Sequence, residues 1–184
     1  MSLPIGGIAD KLGNKYEYDY VVLSILKVLD GKIEYIEYEP IKENGIDITQ
    51  CSAGILKYQQ CKVRNGSDEN WSISSLAKNV LPNWKKILTE SKNNKVSLVS
   101  PIPFTKLKDI SDRANKYTKD PKEFILEINQ LGTDSLKVLE GFCNIVIGRY
   151  DINQDIDKIV DYLCRISFET YPENLLEEYI LKNI

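Results

Sequence analysis

Ile8, Leu12, Tyr16, Tyr20, Leu23 and Leu26 recur at steps of three or four, the spacing of one helical face, and predict a helix over residues 8–29. Asp30-Gly31 ends it in a turn. The period then changes to two. Lys32 to Glu39 alternates polar residues with β-formers until Pro40 stops it, which predicts a first strand. Lys42 to Gly45 carries a turn signal and Ile46 to Cys51 forms a second strand. Ser52-Ala53-Gly54 is a hairpin turn, and Ile55 to Val63 a third strand.

A polar loop from Arg64 to Asn70 leads through Trp71-Ser72-Ile73 into a helix over residues 74–89. Its buried side is expected to carry Leu76, Val80, and Trp84 or Ile87 and Leu88. Pro82 inside it predicts a kink or a break. Val96-Ser97-Leu98-Val99 is a strand candidate, expected to join the sheet in parallel after the helical crossover. The remainder is expected to be helical, over 105–117, 121–131, 133–146, 154–168 and 173–184. Asp120 is placed to cap the second of these at Pro121, and Ile156, Ile159, Val160 and Leu163 make the stripe of the fourth. The pattern predicts an α/β fold, a small mixed sheet flanked by helices. Its core spans 1–104, and a helical part, 105–184, belongs to the same domain or connects to a following one. The last helix runs out on apolar Ile180, Leu181 and Ile184, an ending expected of the first domain of a longer protein.

Composition narrows the chemistry more than the fold. With 42% hydrophobic and 28% charged residues, the chain of 184 residues is of ordinary globular type. A net charge of -3 lacks the basic excess usual in nucleic-acid binders, so any DNA contact must be local. Histidine is absent, which removes Ser-His-Asp and Cys-His nucleophiles, His-ligated zinc and histidine general bases. Hard oxygen-ligated cations such as Mg²⁺ become the natural metals. Cys51, Cys61, Cys143 and Cys164 have no zinc-like spacing and read as reduced thiols in a cytoplasm. No apolar run is long enough to span a bilayer.

Within this frame one constellation carries chemistry: Glu17 on the first helix, Gly45-Ile46-Asp47 at the second strand, and Gln60-Cys61-Lys62 on the third. Alternation puts Leu56, Tyr58, Gln60 and Lys62 on one face and Lys57, Gln59, Cys61 and Val63 on the other, with Gln60 and Lys62 about 7 Å apart. Asp47 is expected beside that pair if its register faces the same side. It would supply the main carboxylate to a cation, Gln60 a weaker carbonyl ligand, and Lys62 would orient or deprotonate a water. Glu17 could complete the shell, approaching through a strip of small residues marked by Gly13 and Ser24, and Glu39 is a further candidate ligand. Each fragment also has an ordinary reading: Gln-x-Lys by chance, Gly-x-Asp as turn chemistry, Glu17 and Glu39 as solvated charges. Lys57, Arg64, Lys78, Lys85 and Lys86 could line a DNA-facing rim or be scattered surface lysines.

The run Gly6 to Glu17, together with Leu29-Asp30-Gly31, Glu39-Pro40, Gly45-Ile46-Asp47, Tyr58 to Lys62 and Trp71-Ser72-Ile73, resembles the start of a bacterial double-stranded-DNA endonuclease domain. Such domains head multidomain antiviral proteins, including nucleotide-signalled effectors and STAND-type NTPases. They belong to the PD-(D/E)xK superfamily, in the Gln-x-Lys branch with Mrr-type restriction enzymes. The resemblance runs over about residues 5 to 90. It implies a restriction-endonuclease-like fold and Mg²⁺-dependent (or Mn²⁺-dependent) cleavage of double-stranded DNA. By position it assigns Asp47, Gln60 and Lys62 to the core motif and Glu17 to the helix acid. The implied partners are DNA, further copies of the chain, and a fused or associated sensor domain. No Pro precedes Asp47, and Gln60 replaces the second acid. A catalytically inactive nuclease-fold module, docking DNA or serving assembly, is the rival expectation.

Overall fold

A helix of 25 residues, α1 (Ile5–Leu29), opens the chain. In the computed structural model the described residues are 5–41, 45–63, 70–148, 150–152 and 154–182, with side chains described from Gly13 onward. Three strands follow: β1 (Tyr35–Tyr38), β2 (Ile48–Ser52) and β3 (Ile55–Cys61). They pair antiparallel, with Tyr38 opposite Ile48 and Ile48 opposite Gln59. The β2–β3 hairpin closes through Ala53 and Gly54, both at positive φ (50° and 72°). That conformation matches the right-handed twist of the flanking strands, and Gly54 reaches it without a Cβ penalty.

The crossover holds α2 (Ile73–Leu76) and α3 (Leu81–Glu90) before β4 (Lys95–Ser100). Ser72 caps α2 by accepting from the Ser75 N–H, and Pro82 lies in the first turn of α3. The proline therefore divides the expected helix in two, since its ring and missing N–H are tolerated only at a helix start. Four helices follow: α4 (Thr105–Lys116), α5 (Pro121–Gln130), α6 (Thr133–Val146) and α7 (Ile156–Cys164). Asp120 stands at the N-cap of α5, but its side chain makes no capping bond.

The expectation of helix alone beyond residue 104 is corrected at β5 (Ile166–Thr170), which α8 (Glu173–Lys182) follows. The helical stripe Ile156, Ile159, Val160, Leu163 ends with α7. Ile166-Ser167-Phe168-Glu169-Thr170 alternates instead and enters the sheet. The sheet has five strands in the order β1-β2-β3-β4-β5. Val96 N–H donates to Arg165 O and Tyr171 N–H to Ser100 O, so β4 and β5 run parallel and the sheet is mixed. The turn expected at Lys42 to Asn44, the loop at Arg64 to Glu69 and the ending at Ile184 lie outside the described residues.

The chain forms two compact units. The first takes Met1–Glu69, Ser97–Pro103 and Phe168–Ile184; the second takes Asn70–Val96 and Phe104–Ser167. The core of the first gathers Tyr16, Tyr20 and Leu23 of α1 with Ile48, Cys61, Val99 and Leu176. The core of the second is built from the inward stripes of its helices, among them Trp84, Ile110, Phe124, Phe142 and Leu163. No described helix is long and apolar enough to cross a membrane.

Candidate functional site

In the first unit, α1 covers one face of the β1–β3 meander. Ile36, Ile48, Gln50, Gln59 and Cys61 face it, as the register requires. Tyr35, Glu37, Thr49, Leu56 and Tyr58 line a groove on the opposite face. Gln60 and Lys62 continue that second face by alternation, Gln60 buried and Lys62 half-buried.

Asp47 stands just before β2, where the pairing departs from strict alternation. Glu39 N–H donates to Asp47 O at 2.8 Å, and Asp47 N–H donates to Gln59 O at 3.0 Å. Gln59 is already the partner of Ile48, so Asp47 and Ile48 together face one residue of β3, the arrangement of a β-bulge. The Asp47 carboxylate then turns along the ladder, and its Oδ2 accepts the Cys61 N–H at 2.6 Å. The carboxylate is thus fixed at the amide between Gln60 and Lys62, in line with the ladder rather than out on one face of the sheet.

Burial pushes the Asp47 carboxyl up to about 6. Lys62 and the Cys61 N–H pull it down, while the charges of Glu17 and Glu39 push it up. All four groups act on Asp47, so the fold brings the expected acids and the expected lysine into one electrostatic neighbourhood. Glu17 is half-buried on α1 and bonds to the Tyr38 phenol, which burial first and this bond second push up. Glu39 is exposed at a φ of 46°, a left-handed conformation rare outside glycine, directly before Pro40. Among the described residues, however, no three His, Cys, Asp or Glu side chains are arranged to hold a metal ion. Glu17, Glu39 and Asp47 share a field without closing a three-acid shell.

Two supporting expectations change. A Cβ at Gly13 would meet nothing within 4 Å, so that glycine provides no close approach to the sheet. Ser24 is buried because its hydroxyl accepts from Gln50 Nε2 at 3.0 Å and donates to Tyr20 O at 2.9 Å. The lysines of the proposed rim are divided. Lys57 belongs to the first unit and is turned to Glu169, whereas Lys78, Lys85 and Lys86 belong to the second, and Arg64 lies outside the described residues.

On the α1 side of the sheet lies a buried network that the sequence did not announce. Glu169 of β5 accepts from Lys57, from Gln59 Nε2 at 2.9 Å and from the Tyr20 hydroxyl at 2.8 Å. Gln59 Nε2 also donates to the Tyr20 oxygen at 2.6 Å. The alternation of Ile166 to Thr170 was the signal that could have placed Glu169 on a strand. No protein-family model, curated protein or solved structure matches the chain.

Proposed function

We propose that the first unit is a metal-dependent endonuclease domain acting on double-stranded DNA, with Asp47, Gln60, Lys62 and Glu17 as its working residues. The observation that carries this reading is the state of Asp47. A carboxyl that burial and two acidic neighbours hold near 6, against one lysine, is short of positive charge. The donors around it are hard oxygens, and the sequence offers no histidine, which suits Mg²⁺ or Mn²⁺. Asp47 would hold the cation through Oδ1, the oxygen that does not accept the Cys61 N–H, with Gln60, Glu17 and Glu39 as supplementary oxygen donors. When bound, such a cation offsets phosphate charge and lowers the pKa of a water. Lys62 would orient that water and balance negative charge accumulating on the phosphate. Cys61 contributes only its backbone: its N–H fixes Asp47, while its buried thiol lies in the core.

The choice of double-stranded DNA, and a role as effector domain of a bacterial anti-phage protein, rest on the family resemblance. A chain with net charge -3 holds few phosphates as a monomer, so assembly or a fused partner would supply further contacts. Supercoiled plasmid incubated with Mg²⁺ tests the reading. The wild-type chain nicks it, and Asp47→Asn or Lys62→Met lowers the rate by about 100-fold or more. Unchanged rates in both variants would remove the site assignment. Among the described residues no three acids close a metal shell, which favours a second reading, a catalytically silent module for DNA docking or assembly. Plasmid binding without cleavage, under every divalent cation tried, would establish it.

A further inference from the structure

Two lysines in the first unit converge on one carboxylate. Lys57 bonds to Glu169 Oε1, and Lys27 stands 3.8 Å from Oε2, beyond hydrogen-bonding distance. Among the described residues no acceptor is hydrogen-bonded to the Lys27 ammonium. The group sits near the rings of Tyr20 and Tyr171, at 5.4 and 5.8 Å from their centroids. Its side chain is only 25% exposed. The charges acting on it are Glu169, which attracts, and Lys57 and Lys32, which repel. Lys27, Lys57 and Glu169 together carry one positive charge in excess, so a single carboxylate is shared between two lysines and Lys27 holds the longer contact.

Lys27 lines a cavity of about 210 Å³ shared with Leu23, Leu26, Lys32, Tyr171 and Tyr179. Asp30, also on the wall, is already bonded to Lys32 Nζ at 2.7 Å. Sites that enclose drug-sized ligands measure about 300–1,000 Å³, so this one is small. We propose that the cavity is a binding site for a small oxyanion, a phosphate or carboxylate group seated on Lys27 between the phenol rings of Tyr171 and Tyr179. The anion supplies the counter-charge that Glu169 cannot provide to two lysines, and takes up the unused donors of Lys27. Lys32, another lining residue, adds attraction, weakened by its bond to Asp30 and its exposure to water. This site is separate from the cluster around Asp47 and does not rest on the endonuclease reading.

Sodium phosphate and sodium acetate, each balanced with NaCl to constant ionic strength, are titrated into the full chain and followed by calorimetry and thermal shift. At least one of them binds wild-type protein saturably and raises Tm, and the tighter of the two names the class of oxyanion. Lys27→Met keeps the aliphatic stem and weakens that binding by about tenfold or more, while Lys32→Met changes it by less than about threefold. Equal binding by Lys27→Met, or no saturable binding of either anion to wild type, would overturn the proposal. Should Lys27→Met not fold, the wild-type chain still decides. The ring resonances of Tyr171 and Tyr179 shift with the same saturation constant as the calorimetry, and rings that stay unshifted count against the site.

Discussion

Glu169 and Asp47 are two acids of the same unit, both set largely out of water, yet their carboxyls are displaced in opposite directions. The Glu169 side chain is only 17% exposed, and burial pushes its pKa up. The charge and bond of Lys57, then Lys27 and the Tyr20 hydroxyl, more than cancel that, and the group settles below the ordinary range. Burial pushes Asp47 up as well, but there Lys62 and one backbone N–H are opposed by Glu17 and Glu39, and it settles at about 6. Depth alone does not separate the two. The supply of counter-charge does, and it leaves one carboxylate satisfied in a structural network and the other short of positive charge.

The largest effect should come from breaking the satisfied side. Glu169→Ala strands Lys57 and Lys27 beside Gln59 and Tyr20, and removing one partner of a buried pair costs about 3–5 kcal/mol. Chemical denaturation of the variant would show it as a lower midpoint. Adding Lys57→Met to that background returns part of the loss, because the orphaned ammonium goes with it. A cost near zero for Glu169→Ala would mean that the network is ornamental and that the contrast with Asp47 is one of depth only.

Asp47 should behave with the opposite sign. A carboxyl raised from 3.8 to about 6 stabilises the fold fully below 3.8 and loses that contribution as pH rises through 6. Roughly two units correspond to at most about 3 kcal/mol, reduced by solvent because the group is only partly buried. Asp47→Asn keeps an oxygen for the Cys61 N–H and removes the charge. Above pH 6 it should therefore raise stability by about 1–2 kcal/mol, and make no difference below the ordinary carboxylate range. Glu169 runs the other way, its contribution present above the ordinary Glu pKa and lost as pH falls through its lowered value. Denaturation midpoints across pH, for both variants, would display the two slopes. A loss of stability in Asp47→Asn at pH 8 would contradict the assignment of Asp47 as a strained acid.

The division between legible and illegible follows the same line. Helical spacing from Tyr16 to Leu23 and alternation from Lys57 to Cys61 are local periodicities, and α1, the hairpin and the inward face of β3 appear where those periods place them. Gln60 and Lys62 came out of alternation together. The position of Asp47 did not, because it depends on Gln59 facing two consecutive residues, Asp47 and Ile48, a property of the pairing rather than of either segment. Glu169 was hidden for a different reason. Its partners lie 110 and 112 residues earlier in the chain, at Gln59 and Lys57, and the helical stripe before it carried the expected helix over the start of β5. Gly13 shows the converse, a small residue whose spacing suggested a close approach where the fold leaves open space.

The finest distinction is between the two acids that crowd Asp47. Glu17 acts on it more strongly than Glu39 does, and both act less than burial. Carboxyl NMR titration of Asp47 should therefore show a lower pKa in Glu17→Gln, displaced by less than about one unit, and a smaller displacement in Glu39→Gln. These are the substitutions that a cation at the site would imitate, since each lowers the negative charge that Asp47 experiences. If Asp47 titrates unchanged in both variants, burial alone accounts for its state. Its demand for positive charge then shrinks to what any half-buried acid shows, and the case for a cation rests on Asp47 and Gln60 without the helix acid. If Glu39→Gln displaces it further than Glu17→Gln, the exposed acid before Pro40, rather than the one on α1, is the second carboxylate of the site.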